Sequence, residues 1–293
     1  MDQHQGPEAN AVAGSDEKPI FYLANTRRNK HYDKCNLCLN ILKLTDDHVP
    51  PQGATNVTKV EVQSLQQLMA GEEGAKYYRS TSSQNGLKFR TLCGICNSWL
   101  GHSYDPELIK FSWDVRHSLN SLLALPATMQ VEINPDAVIR AVLGHLVASK
   151  VELDDAGIDR KVRTYLSDGA QLPPSDLNVF FWLYPFETTI VIRDVLMPSV
   201  RGQFDNFGMF NILKYFPLGF LVTEHQSYEG LVNLSLLATG DLTTRVRVPV
   251  HLVDPKPQGW PETPDNGNFL LMGQAGGNSV MAKPAKPSHI FRL

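Results

Sequence analysis

The 293 residues suffice for one large domain or two ordinary ones, and a hydrophobic content of 42% supplies a packed core, which excludes an intrinsically disordered chain. A net charge of −3 excludes a uniformly basic coat for a polyanion, but the average hides a gradient. Phe21 to Tyr104 carries ten Lys or Arg against six Asp or Glu, and the remainder 17 against 24, so a surface for polyanions is expected in the first third.

Taken in chain order, residues 1–19 are polar, lack the apolar run of a secretory signal and are expected to form a disordered tail. Residues 20–104 hold all four cysteines, with short apolar pieces such as "YLAN" and "LNILKL" between polar turns, a texture that predicts a loop-rich module stapled by metal. Asp105 as N-cap and Pro106 at the first helical position open an amphipathic helix bearing Leu108, Phe111, Val115, Leu119 and Leu122. "MQVEI" (Met129 to Ile133) predicts a strand. Asn134-Pro135 then caps a helix through Ala148, with Val138, Ala141, Val142 and His145 on one face, where His145 is expected as a core histidine. A shorter helix is expected near Ile158 to Leu166.

From Leu177 the pattern turns to β: "NVFFWLYPF" and "TTIVIRDVLM" suggest a hairpin, and "LGFLVTE" and "TTRVRVPVHLV" later strands. The fold class expected is therefore α+β, a zinc-stapled N-terminal module (20–104) followed by an α+β accessory domain (105–253) with a largely antiparallel sheet. Residues 254–293, rich in Gly and Pro, are expected as extended loop. The most apolar run, Val179 to Phe186, is too short to span a bilayer, so no membrane association and a cytoplasmic location are expected.

Cys35 and Cys38 form one C-x-x-C pair, and Cys93 and Cys96 another. Each pair folds two thiolates toward one ion, and two pairs complete a tetrahedral structural Zn²⁺ site in a reducing compartment. Beside this frame stands "DDHVPP", and Cys96 runs directly into Asn97 in "CNSWLG". The combination resembles the HNH nuclease family, whose members carry C-x-x-C, then D-H-[IV]-x-P, then L-C-x-x-C-N-x-x-x-G. The matching positions here are Cys35 and Cys38, then Asp47, His48, Val49 and Pro51, then Leu92, Cys93, Cys96, Asn97 and Gly101. Two positions depart from the pattern: Asn85 lies upstream of the family's middle Asn, and Leu100 replaces a frequent Lys.

The resemblance spans about Lys34 to Gly101 and implies the ββα-metal fold, with His48 as general base and Asp47 and Asn97 as ligands of one catalytic divalent ion. Phosphodiester hydrolysis needs a base that can activate water near pH 7 and a cation to neutralise charge on the scissile phosphate. An Asp carboxylate and an Asn amide oxygen are hard ligands suited to Mg²⁺ or Mn²⁺. Strand alternation sends Asp47 and His48 to opposite faces, so a shared site requires the strand to bend, and Val49-Pro50-Pro51 supplies a stop. Lys30, Lys34, Lys76, Arg79, Lys88 and Arg90 are the candidate phosphate contacts, with Arg27 and Arg28 just upstream.

The resulting expectation is a metal-dependent endonuclease acting on nucleic acid, DNA before RNA, in the settings the family occupies: restriction, phage defence or mobile elements. The C-terminal region is expected to select substrate or to contact a protein partner or second copy. The alternative is a non-cleaving, zinc-stapled nucleic-acid-binding or adaptor protein. A binder has no need of Asp47, His48 and Asn97 together.

Overall fold

The computed structural model describes residues 22–56, 58–69, 76–121, 124–153, 158–167, 172–200, 203–253, 256–262, 270–271 and 279–286. The tail expected over 1–19 lies outside them. In chain order the elements are β1 (Tyr22–Leu23), β2 (Tyr32–Lys34), β3 (Ile41–His48), β4 (Val60–Ser64), α1 (Leu65–Met69), β5 (Tyr78–Arg79), β6 (Thr81–Ser83), β7 (Lys88–Cys93), α2 (Gly94–Ser103) and α3 (Asp105–Leu119). They continue with β8 (Thr128–Ile133), α4 (Pro135–Ala148), α5 (Asp159–Ser167), β9 (Asn178–Leu183), β10 (Thr189–Val200), β11 (Gln203–Tyr215), β12 (Leu218–Thr223), β13 (Val232–Asn233), β14 (Val246–His251), β15 (Leu270–Leu271) and β16 (Val280–Pro284). The chain is mixed α+β with mostly antiparallel sheets, and no helix among the described residues is long and apolar enough to cross a membrane.

The helix α4 organises the rest. Asn134 caps it as its sequence predicts, its side chain accepting from the Ala137 amide at 2.8 Å. The expected single apolar face proves too narrow, because every residue of α4 is buried. A helix covered on all sides leaves its last carbonyls without water, and these must find protein donors. Asn36 Nδ2 donates to the carbonyls of Val147 and Lys150 at 2.7 and 2.6 Å, Thr91 Oγ1 to that of Ala148 at 2.5 Å, and Arg193 Nη1 to that of Leu146. Two of these donors flank the cysteines, so the end of α4 is tied directly to the cysteine frame.

Strand β3 pairs antiparallel with β7, which runs straight into α2, and β2 completes this small sheet. A second sheet of nine strands runs in the order β13-β9-β12-β11-β10-β16-β4-β6, with β15 also on β10. The hairpin suggested for "NVFFWLYPF" and "TTIVIRDVLM" does not form. All six residues of β9 are buried, which suits a strand with neighbours on both sides, and β12 and β13 provide them while β10 pairs with β11. The loop expected throughout 254–293 also contains β16, which lies between β10 and β4.

The boundary expected between residues 104 and 105 is not a break in packing. Strands β4 and β6 belong to the same sheet as β9 to β12, and one apolar core runs from Leu44, Phe89 and Leu92 to Val142, Leu146, Leu213 and Val280. Two buried ion clusters brace this core. Arg193 and Lys150 face Asp159 and Asp194, with Lys150 Nζ 2.8 Å from a carboxylate of each, and Lys214 meets Glu262. The first cluster depends on a bulge after Ile192, where Asp194 takes φ 53 and turns inward beside Arg193.

Helices α2 and α4 pack together at Gly144, where an added Cβ would stand 2.8 Å from Leu100 Cδ2. Gly144→Ala must displace Leu100 and is expected to cost about 1–3 kcal/mol, read from the denaturation midpoint.

Candidate metal centre and active site

The turn from Cys35 to Asn40 is closed by Cys35 N–H to the Asn40 carbonyl at 2.9 Å and Leu39 N–H to the Cys35 carbonyl at 3.0 Å, with Leu39 at φ 61. This turn presents Cys35 and Cys38, while the junction of β7 and α2 presents Cys93 and Cys96. One ligand atom from each of the four lies within 4.8 Å of all the others. A tetrahedral four-thiolate site with Zn–S bonds of about 2.3 Å spaces its sulfurs about 3.8 Å apart. The Cys38 and Cys93 sulfurs stand 3.9 Å apart, so the thiols fit a metal ion such as zinc. The Cys93 amide donates to the Cys35 sulfur at 3.3 Å. The hydrogen bond from Cys96 outweighs burial and lowers the pKa of the Cys35 thiol, while that of Cys96 itself is pushed up.

The cluster fixes three elements at once: the turn before β3, the end of β7 and the start of α2. On α2, one residue past the last cysteine, Asn97 Nδ2 donates to Thr45 Oγ1 at 3.1 Å and to the Asp46 carbonyl at 3.3 Å, which leaves its amide oxygen as the free acceptor. A register shift between Thr45 and Asp46 sets the end of β3. Asp46 points to solvent, bridging Arg27 at 3.1 Å and Arg90 at 2.9 Å, whereas Asp47 is buried.

Strand β3 stays paired with β7 as far as His48, so the bend expected to bring His48 beside Asp47 does not come before it; His48 lies on the other face, half-buried, with Nε2 2.9 Å from the Asn85 carbonyl. Since a carbonyl only accepts, Nε2 carries the proton and Nδ1 keeps its lone pair. Burial and the facing Lys88 lower the His48 pKa, and the Asn85 carbonyl with Asp47 and Asp46 restores only part of it, so the neutral ring is favoured at neutral pH. Asn85, with φ 57, thus meets the histidine through its backbone despite its upstream place in sequence.

Two residues at this site have roles that their sequence signals do not give. Asp105 is not the cap of α3 but its first residue, after Tyr104, and its Oδ1 lies 3.0 Å from His145 Nε2. The other ring nitrogen of His145 faces Asp47 Oδ2 at 3.7 Å, within ion-pair reach but too far for a hydrogen bond. His145 is therefore more than a core histidine: it links Asp47 of β3 to Asp105 of α3. Burial alone would lower its pKa, but Asp105, joined by Asp47, raises it to about 10, and the imidazolium is the resident form. Only the folded packing of α3 and α4 brings these groups together.

The expected phosphate contacts fare unevenly. Lys88 stands opposite His48 in register, and Lys30 and Lys34 line an open cleft of about 510 Å³ beside Arg28. Lys76 lies over the Tyr77 ring at 5.1 Å, and Arg79 sits on β5. Arg90 and Arg27 are committed to Asp46, and Arg28 holds the carbonyls of Val151 and Lys34 and the Asn36 side chain. Arg90, Arg27 and Arg28 therefore brace the frame, whatever else they meet. Compared with protein-family models, curated proteins and solved structures, the chain matches none, and the reading of this site rests on its own residues and geometry.

Proposed function

We propose that the protein is a metal-dependent endonuclease of the HNH type, cleaving phosphodiester bonds in nucleic acid, DNA before RNA. The observation that supports this reading is the four-cysteine cluster that joins α2, with Asn97, to β3, the strand that ends on Asp47 and His48. A four-cysteine cluster of zinc geometry holds β3 and α2 together, Asn97 is bonded across to β3, and the next residues of that strand are a buried carboxylate and a histidine with a free Nδ1.

In this reading zinc fills the cysteine cluster and has a structural role. His48 takes the proton of the attacking water at Nδ1, while the Asn85 carbonyl holds the ring by Nε2–H. The donor set for a second ion fits by chemistry: the Asn97 amide oxygen is uncommitted and the Asp47 carboxylate has no short hydrogen bond, both hard oxygens suited to Mg²⁺ or Mn²⁺. Such an ion, when bound, would neutralise charge growing on the phosphate. The His145 imidazolium between Asp47 and Asp105 acts as a positioning group for the Asp47 carboxylate.

The test is incubation with supercoiled plasmid and, separately, with RNA, in Mg²⁺ or Mn²⁺, before and after brief EDTA treatment and re-addition of metal. Nicked or linear plasmid that requires the added ion is expected. Tight binding with no cleavage under any of these metals would leave the zinc-stapled binding protein as the reading.

A further inference from the structure

His48 lines a cleft of about 90 Å³ whose far walls come from the end of α3, from β10 and from the segment after β16. Besides His48, its polar lining includes Asn56, Arg116, Glu187 and Lys286. Arg116, in the last turn of α3, is only 6% exposed. Its Nη1 donates to Asn56 Oδ1 at 3.1 Å and its Nη2 to the Phe216 carbonyl at 3.5 Å, the guanidinium stacks on Trp113 and Phe216 at 5.0 and 5.2 Å, and its Nε has no partner.

Removing a guanidinium from water is expensive unless an anion joins it. This chain supplies one elsewhere: Arg193, buried still more deeply, meets Asp159 and Asp194. No carboxylate among the described residues pairs with Arg116, and Glu187, the acid lining the same cleft, is engaged elsewhere. The helix C-terminus and the two rings offset part of the cost, and burial still pushes the guanidinium pKa down. What is missing is an anion that arrives from the cleft.

We infer that Arg116 is the seat for a backbone phosphate of the polynucleotide, neighbouring the bond presented to His48, with the exposed Lys286 as an outer contact. An arginine fork suits phosphate oxygens, and one cleft carrying both the proposed base and an unpaired buried cation would set the register of the strand without reading its bases. This deepens the nuclease reading and takes from it the identity of the ligand as a polynucleotide.

The experiment is anisotropy titration of labelled single- and double-stranded oligonucleotides with the full chain, without added Mg²⁺ or Mn²⁺, over a salt series. Arg116→Gln is expected to weaken binding about tenfold and to reduce the salt slope by about one. Asn56→Asp places a carboxylate beside the guanidinium, and is expected to weaken binding equally while the melting temperature holds or rises. Gln52→Asp, exposed and outside the cleft lining, should stay near wild type.

Wild-type affinity and slope in Asn56→Asp, even if Arg116→Gln fails to fold, would overturn the proposal, as would equal loss in Gln52→Asp. A protein that binds no oligonucleotide, yet whose melting temperature rises with inorganic phosphate only when Arg116 is present, would assign the seat to a small phosphate and overturn it too. Binding through Arg116 without any metal-dependent cleavage would support the seat and remove the nuclease reading. Cleavage with an unchanged KM in Arg116→Gln would do the reverse.

Discussion

Replacing Cys96 with Ser should abolish tight zinc binding and, with it, the cooperative fold. Structural zinc in zinc-finger peptides contributes about 10–16 kcal/mol of apparent binding free energy, comparable with the about 5–15 kcal/mol that holds an ordinary domain together. Here the loss would spread, because the cysteine turn carries Asn36, which caps the buried end of α4, and the junction at Cys93 starts α2. Wild-type protein should carry zinc at a single site per chain by elemental analysis, and strong chelators should lower its melting temperature sharply. A Cys96→Ser protein that is soluble, free of zinc and melts like wild type would remove the structural basis of the site.

Cleavage by His48→Ala is expected to fall by about two to four orders of magnitude, the usual contribution of a general base. Stability should change little, since the ring is half-exposed and makes one hydrogen bond, to the Asn85 carbonyl, of a kind worth about 0.5–1.5 kcal/mol net. Oligonucleotide affinity and zinc content should stay near wild type. The separation matters because a merely structural histidine would lose stability and activity together. A stably folded His48→Ala protein that cuts at the wild-type rate would end the proposed mechanism.

The sequence made local features legible and left distant ones hidden. Two C-x-x-C pairs announced a metal cluster because thiol pairing is a short-range pattern, and Asn134-Pro135 announced α4 because capping is written in adjacent residues. Asp105 carried a correct helix signal with the wrong job: an acid at a helix start serves equally well as a cap or as a partner for something beyond the helix, and only the position of His145 decides. Arg116 was hidden for the opposite reason. At the end of a helix a cation is ordinary, and its lack of an acid becomes visible only once the walls of the cleft are in place. The partners of β9 and β10 were misjudged because alternation marks strands without naming neighbours.

The position of β16 has a consequence for synthesis on the ribosome. It lies between β4 and β10, yet it emerges about 215 residues after β4, a delay of about 10–40 s at usual elongation rates. The β4 edge waits through that interval, and once β10 has emerged, about 80 residues before β16, two open strand edges offer unpaired amides and carbonyls to any passing strand. Until β16 inserts, the segment that follows β3 and the wall opposite it stay unjoined by the sheet, so the cleft at His48 is completed only after β16 has been made.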